Sequence, residues 1–228
     1  ITAALIPAAS FAADTGASAA LDEDVAILFS GDINGSVDAN IGVAGMAAYA
    51  NEMKTKHRYV EMVDIGNAAS GTVLASTSKG EYVAEAMNAA GYSIAVPGAG
   101  EFSYGVTQLV SGLAKTADYQ YISCNFKYAA TDETVFKPYK IVSYGDTKVA
   151  YVGISDPDIM VQYESFFKNS DGSYAYSFCD GNGGKDLYGA VQTAIDKAKA
   201  EGAQYIIALG NLRDTENAEK KKKSIIEN

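Results

Sequence analysis

Val25-Ala26-Ile27-Leu28-Phe29-Ser30-Gly31-Asp32-Ile33-Asn34-Gly35 is the stretch that decides the fold. Its apolar opening, Val25 to Phe29, fits a strand buried on both faces, as in a parallel sheet covered by other layers. The polar, glycine-bearing tail is a loop at the strand's carboxyl end, where open α/β sheets place their sites. The same strand–loop–helix unit recurs downstream. Val43, Met46, Ala47, Ala50 and Met53 fall at helical spacing, and Tyr59 to Asp64 returns as a strand. Ser78 and Glu81 have capping-box spacing for a helix running to about Ala90, with Gly91 as its C′ residue. Ser93 to Val96 is a third strand, stopped by Pro97-Gly98. A helix over 105–116 and a strand from Tyr121 to Cys124 follow.

The second half changes character. Tyr139 to Tyr144 and Lys148 to Ile154 flank Gly145-Asp146, an antiparallel hairpin pattern. Residues 155–184 read as one long loop rich in Tyr, Phe, Gly and Asp. Leu187, Val191, Ala194, Ile195 and Ala198 make an amphipathic helix closed by Gly202, and Tyr205 to Leu209 is a last buried strand. Parallel βα units plus a hairpin predict an α/β fold: two mixed sheets packed together, with helices outside.

With 228 residues and 48% hydrophobic content, the chain can bury a substantial core. Its net charge of -10 argues against nucleic acid and anionic membrane surfaces as partners. The basic block Lys220 to Lys223 reads as a solvated helix face. Ala3 to Ala9 is a short apolar run, and Ser10-Phe11-Ala12 offers the small residues of a signal-peptidase site. Residues 1–24 are therefore expected to be an export-signal remnant and leader, and the protein to be secreted or extracytoplasmic. Residues 25–228 form the expected domain, which ends at Ser224 to Asn228 without the strand that an α/β layer fold calls for. No later segment has the ~20 apolar residues of a transmembrane helix. Cys124 and Cys179 read as two separate buried thiols, since nothing in the pattern brings them together. The single histidine, His57, is expected as an exposed helix-terminal residue.

The strand-end loops are Ser30 to Gly35, Asp64-Ile65-Gly66-Asn67, Pro97 to Phe102, and Leu209-Gly210-Asn211-Leu212. With Gly45 and Ala47-Ala48-Tyr49, Ser78-Lys79-Gly80-Glu81, Glu101-Phe102-Ser103-Tyr104-Gly105 and Pro138-Tyr139-Lys140-Ile141, the chain resembles the secreted 5′-nucleotidase family of the calcineurin-like metallophosphoesterases, across residues 25–228. The resemblance implies a four-layer α-β-β-α sandwich. It also implies a centre of two divalent ions (Zn²⁺, Mn²⁺ or similar) that hydrolyses phosphate esters of nucleotides.

The matching positions carry other chemistry. Asp32 keeps the family's first metal ligand, but Asn34 stands where that motif has His. Asn67 replaces the Asp that bridges both ions. Ala99 and Gly100 replace the Asn-His pair, which removes the family's catalytic His. Asn211 replaces a further metal His. Two ions about 3.5–4 Å apart need an anionic bridge, which neutral Asn67 cannot supply. Asn is also a poor ligand for Zn²⁺ or Mn²⁺. The expectation is an exported pseudoenzyme with no resident cofactor and no catalytic residue, serving as a binding or surface module. Asp32, Asn34, Asn67 and Asn211 would then be vestigial metal positions. The alternative is an active nucleotide phosphohydrolase with a noncanonical or single-metal site around Asp32. A weak Ca²⁺ site from four side-chain oxygens is a further possibility. A nucleotide or other small molecule is the expected ligand if the module binds one, with Tyr163, Phe166, Phe167, Tyr174, Tyr176 and Phe178 as stacking candidates. These rings are equally read as a local core under a long loop. Protein partners are not specified by any pattern.

Overall fold

The computed structural model describes residues 2–6, 25–38 and 41–212. Of the expected signal remnant and leader over residues 1–24, Thr2–Ile6 are described as a strand; the rest of that segment, the Lys220 to Lys223 block and the Ser224 to Asn228 end lie outside the described residues. In chain order the elements are β1 (Thr2–Ile6), β2 (Val25–Ser30), α1 (Gly42–Met53), β3 (Tyr59–Asp64), α2 (Val73–Thr77) and α3 (Glu81–Ala90). Then come β4 (Ile94–Ala95), α4 (Ala99–Phe102), α5 (Val106–Gln108), α6 (Ala114–Thr116), β5 (Gln120–Tyr121) and β6 (Lys127–Tyr128). The hairpin is β7 (Tyr139–Tyr144) and β8 (Thr147–Ile154), followed by α7 (Ile159–Gln162), β9 (Tyr176–Ser177), α8 (Lys185–Ala200) and β10 (Tyr205–Gly210).

Among the described residues, β1 to β5 form one sheet in sequence order, parallel from β2 to β5, with β1 antiparallel on its edge. A second sheet has the order β10-β8-β7, parallel then antiparallel. Alternation along the strands sorts side chains into layers. Ala26 and Leu28 of β2 face α1 and α3, joining Val43, Met46, Val83 and Met87. Val25 and Ile27 face the other way, into a core between the sheets with Val63, Ile94, Val149 and Tyr151. Val152 and Ile154 of β8 then pack on Leu187, Val191 and Ala194 of α8. Helix, sheet, sheet, helix is the four-layer sandwich expected from the sequence.

Gly153 of β8 lies directly against Ile122, just past β5. A Cβ there would lie 2.3 Å from the Ile122 carbonyl oxygen. That contact explains why the expected strand Tyr121 to Cys124 is split. Gln120 and Tyr121 pair with β4, after which the chain crosses layers: Ile122 bridges Lys137 and the Cys124 N–H donates to Gly153 O at 2.8 Å.

Other local expectations need correction. The Ser78–Glu81 capping box does not form. Gly80, at φ 87°, is the N-cap of α3, and Ser78 ends α2. Ser78 Oγ still reaches the Tyr82 N–H, at 3.3 Å. The helix over 105–116 is interrupted by a π turn at Leu109–Leu113. Gly112 leaves room there for Gln108, whose amide reaches Glu81 Oε1 at 2.9 Å. The long loop 155–184 contains α7, a 3₁₀ turn at Glu164–Phe167, and β9, which pairs antiparallel with β6. His57 is half-buried rather than exposed, and its N–H closes the turn after α1 on Met53 O.

Candidate functional site

The loops after β2 and β3 are zipped together by their backbones. Asp32 N donates to Gly66 O at 2.9 Å, Asn34 N to Asn67 O at 2.8 Å, and Gly35 N to Ala68 O at 2.8 Å. Asp32, Asn34 and Asn67 all take left-handed backbone, with φ of 54°, 51° and 63°. Asn and Asp tolerate this conformation better than other side chains, and it clusters at functional loops.

Glu101 at the start of α4 organises these loops from beneath, a role the sequence reading missed. Its buried carboxylate accepts Ala68 N and Ala69 N on Oε1, at 2.7 and 2.9 Å. On Oε2 it accepts Asn67 N and Gly98 N, at 2.9 and 2.8 Å. Burial raises its pKa, and the four N–H donors act against that rise. The only sequence signal was an acidic residue inside an otherwise apolar motif.

Asp64 is the second buried carboxyl. It accepts Ser30 Oγ–H at 2.6 Å and Gly66 N–H at 2.8 Å. Burial first, and then the Glu101 charge, push it up to about 8. It supports the turn through the Gly66 N–H.

The side chains above this frame meet at Asp32. Asn67 Oδ1 accepts the Gly100 N–H at 2.8 Å, which turns the amide nitrogen outward to donate to Asp32 Oδ1 at 2.8 Å. Asn211, from the end of β10 in the other sheet, donates its Nδ2 to the same Oδ1 at 2.8 Å. Two amides thus converge on the carboxylate oxygen. Asn34 does not join them, because its Nδ2 folds back on the Asp32 carbonyl at 2.9 Å. The amides turn nitrogen toward Asp32, so the four-oxygen arrangement considered for Ca²⁺ is not what these side chains form.

The described residues at this centre do not fit a pair of divalent ions. Among them Asp32 is the single carboxylate at the convergence, and its Oδ1 is engaged by two N–H donors. Among the described residues, no three His, Cys, Asp or Glu side chains are grouped to hold a metal. At Gly100 a Cβ would lie 3.0 Å from Asn67 Cα and 3.1 Å from Ser70 Oγ, so a side chain there requires the Asn67 loop to give way.

The candidate stacking rings prove to be mostly core. Phe167 and Phe178 are fully buried, and Phe126 stacks on Phe178 at 4.8 Å and on Tyr176 at 5.3 Å. Phe102, next to Glu101, packs edge-on against Phe126 at 5.1 Å. Tyr163 stacks with Phe166 at 5.9 Å and bonds Ser103 Oγ at 3.0 Å. Tyr174 is exposed but engaged by Glu164 at 2.7 Å. Of the six, Phe166 and Tyr174 alone are exposed. Among the described residues no helix is long and apolar enough to cross a membrane.

The layer order, together with loops converging at the carboxyl ends of β2, β3 and β10, defines a calcineurin-like metallophosphoesterase fold. The solved YfkN of Bacillus subtilis, a calcineurin-like phosphoesterase, superposes with a TM-score of 0.68 at 24% identity, over 81% of this chain and 61% of that one. The 5′-nucleotidase precursor of Thermus thermophilus gives 0.66 at 21% identity, over 82% and 36%. In sequence, the chain is 30% identical to bovine 5′-nucleotidase over 174 residues, 75% of this chain and 28% of that protein. It is 29% identical over 174 residues to the snake venom 5′-nucleotidase of Crotalus adamanteus, 75% of this chain and 27% of that protein. The chain thus spans less than a third of the length of these relatives. No protein-family model matches it. The chain belongs to the 5′-nucleotidase-like family of metallophosphoesterases.

Proposed function

We propose that this chain is an exported, non-catalytic member of that family, retained as a binding or surface module. The observation that carries the reading is the Asp32 carboxylate held by the amide nitrogens of Asn67 and Asn211. An amide N–H presents partial positive charge toward the carboxylate, so each Asn supplies locally what a cation would supply, without a metal. Asp32, Asn34, Asn67 and Asn211 are then vestigial metal positions, and Gly100 leaves no general acid or base at the family's catalytic position. Small molecules of the nucleotide class are the first ligands to try, since the relatives are nucleotidases. Export rests on the apolar run ahead of Ser10-Phe11-Ala12 and on the relative found in venom. The intact mass of the secreted protein tests it: cleavage after Ala12, which would take β1 off the edge of its sheet, supports export processing, and an uncleaved N-terminus, with Thr2–Ile6 kept on β2, counts against it.

The deciding experiment is calorimetric titration of Mn²⁺, Zn²⁺ and Ca²⁺ into protein expressed from the complete gene, with nucleoside monophosphate hydrolysis assayed alongside. The expected result is no stoichiometric binding and no turnover. Binding of one or two ions, lost in Asp32→Ala, together with hydrolysis, would replace this proposal with an active site around Asp32.

A further inference from the structure

Away from the Asp32 loops, a cavity of about 1110 Å³ opens between the 127–134 segment, the 177–181 segment and α8. Both cysteines of the chain line it, along with Lys127, Asp132, Lys185 and Asp186. The sequence placed these thiols in unrelated segments. The fold brings both to the lining of one cavity. Lys127 pairs with Ser177 across β6 and β9, and Phe126 stacks on Phe178 at 4.8 Å. The buried Asn125 amide donates to Phe178 O at 3.0 Å and to Ser155 O at 2.8 Å. Cys124 and Cys179 therefore flank a locked junction, each one residue beyond the Asn125–Phe178 hydrogen bond. Both are free thiols, Cys124 buried and Cys179 half-buried at φ 57°, where the chain turns out of the β9 strand.

We propose that Cys124 and Cys179 are a paired thiol site that closes to an intramolecular disulfide on reaction with a low-molecular-weight disulfide such as glutathione disulfide. The cavity admits the reagent to Cys179, the more accessible thiol. The Cys179 thiolate attacks one sulfur of the reagent, forming a mixed disulfide and releasing one thiol, with its own proton passing to solvent or to the leaving thiolate. Cys124 Sγ then attacks Cys179 Sγ, expels the second thiol and completes the protein disulfide. Two protein thiols are oxidised and one reagent disulfide is reduced to two thiols. Burial raises both thiols, pushing Cys124 up to about 12, while the Lys127 ammonium acts against the rise at each. Cys124, the more deeply buried of the two, meets a mixed disulfide already formed on Cys179 rather than the reagent itself. The bridge would tie the crossover between the sheets to the segment leading into α8. Because it closes a loop of more than fifty residues, it should raise the melting temperature by about 5–15 °C.

The test incubates the full chain with glutathione disulfide, then maps peptides without reduction and counts thiols after denaturation. The expected result is a linked pair of peptides carrying Cys124 and Cys179, loss of both titratable thiols, and a melting temperature that falls back on reduction. Cys124→Ser should stop at one glutathione on Cys179, while Cys179→Ser should keep Cys124 unmodified. Two thiols remaining in the treated parent protein, or stable glutathione adducts without the linked pair, would overturn the proposal. So would a linked species found only between chains. The Ser variants are checked against the reduced parent by their melting temperatures, so that a misfolded variant is not mistaken for an unreactive one.

Discussion

Replacing Asn67 by Asp puts a second carboxylate beside Asp32, at the position the resemblance implies for a bridge between ions, and so tests whether amides really hold this centre. In the present structure Asn67 Nδ2 lies 2.8 Å from Asp32 Oδ1. The substitution exchanges that donor for an oxygen and leaves the Gly100 N–H bond to Oδ1 intact. A hydrogen bond to a charged partner is worth about 1.5–3 kcal/mol, and Asp32 is exposed, so the lower end applies. Two carboxylates about 3–4 Å apart in near-aqueous dielectric repel by roughly 1–1.5 kcal/mol. The expected loss without metal is therefore about 3 kcal/mol at pH 7. With a urea slope of about 2 kcal/mol/M, the midpoint should fall by ~1.5 M. Acidification should recover part of the loss, because protonating one carboxyl removes the repulsion. Millimolar Mn²⁺ should also raise the midpoint of Asn67→Asp, since a bridging cation satisfies both carboxylates, while leaving the parent unchanged. A midpoint for Asn67→Asp within 0.3 M (roughly 0.6 kcal/mol) of the parent in the absence of metal would refute the argument that the Asn67 amide stabilises Asp32.

Three further outcomes follow from the frame beneath the site. Glu101→Gln leaves two of the four loop N–H groups facing an NH₂, whichever way the amide turns, and should cost about 3–5 kcal/mol in urea unfolding; a cost under 1 kcal/mol would mean the loops do not depend on the carboxylate. Asp64 has an unfolded value of 3.8 and a folded value of about 8, so between them the native state binds the extra proton and stability falls as pH rises, by up to about 1.4 kcal/mol per unit. Unfolding free energies at pH 5, 6 and 7 should show that slope, and Asp64→Asn should flatten it; an equal slope in both proteins would assign it to other groups. Gly153→Ala places a methyl against the Ile122 carbonyl where the sheets meet and should cost about 2 kcal/mol or more, read as a lower melting temperature; an unchanged melting temperature would show that the interface has slack.

The layer structure was legible because it is written in local periodicity. Val25 to Phe29 is an apolar run long enough to be a buried strand, Tyr59 to Asp64 and Tyr205 to Leu209 are strands as expected, although the last is half-buried with Ala208 exposed, and α1 and α8 carry their apolar faces at helical spacing. Where a run is short, its pairing decides. Ser93 to Val96 is in register with its neighbours at Ile94–Ala95, with the Ser93 and Val96 N–H groups bonding Met62 O and Asp64 O at either end, and Tyr121 to Cys124 divides between two sheets where Ile122 lies against Gly153. The aromatic residues of 155–184 carried no periodicity to separate a binding face from a core. Their contacts with Phe102 and Phe126, distant in sequence, make most of them core.

By itself the sequence determined the order of the main strands and helices from β2 to β10, the positions of the strand-end loops, and their residue types, with Asn34, Asn67 and Asn211 where the resemblance implies imidazole and a bridging carboxylate. Those properties are local or belong to residue types. The tertiary structure alone decided that Asn67 and Asn211 turn their amide nitrogens onto one oxygen of Asp32, that Asn34 does not, that Glu101 gathers four N–H groups under the site, and that Cys124 and Cys179 line one cavity. Each of these depends on the direction in which a side chain leaves its element and on elements far apart in the chain meeting across a layer. A pattern read along one chain records neither.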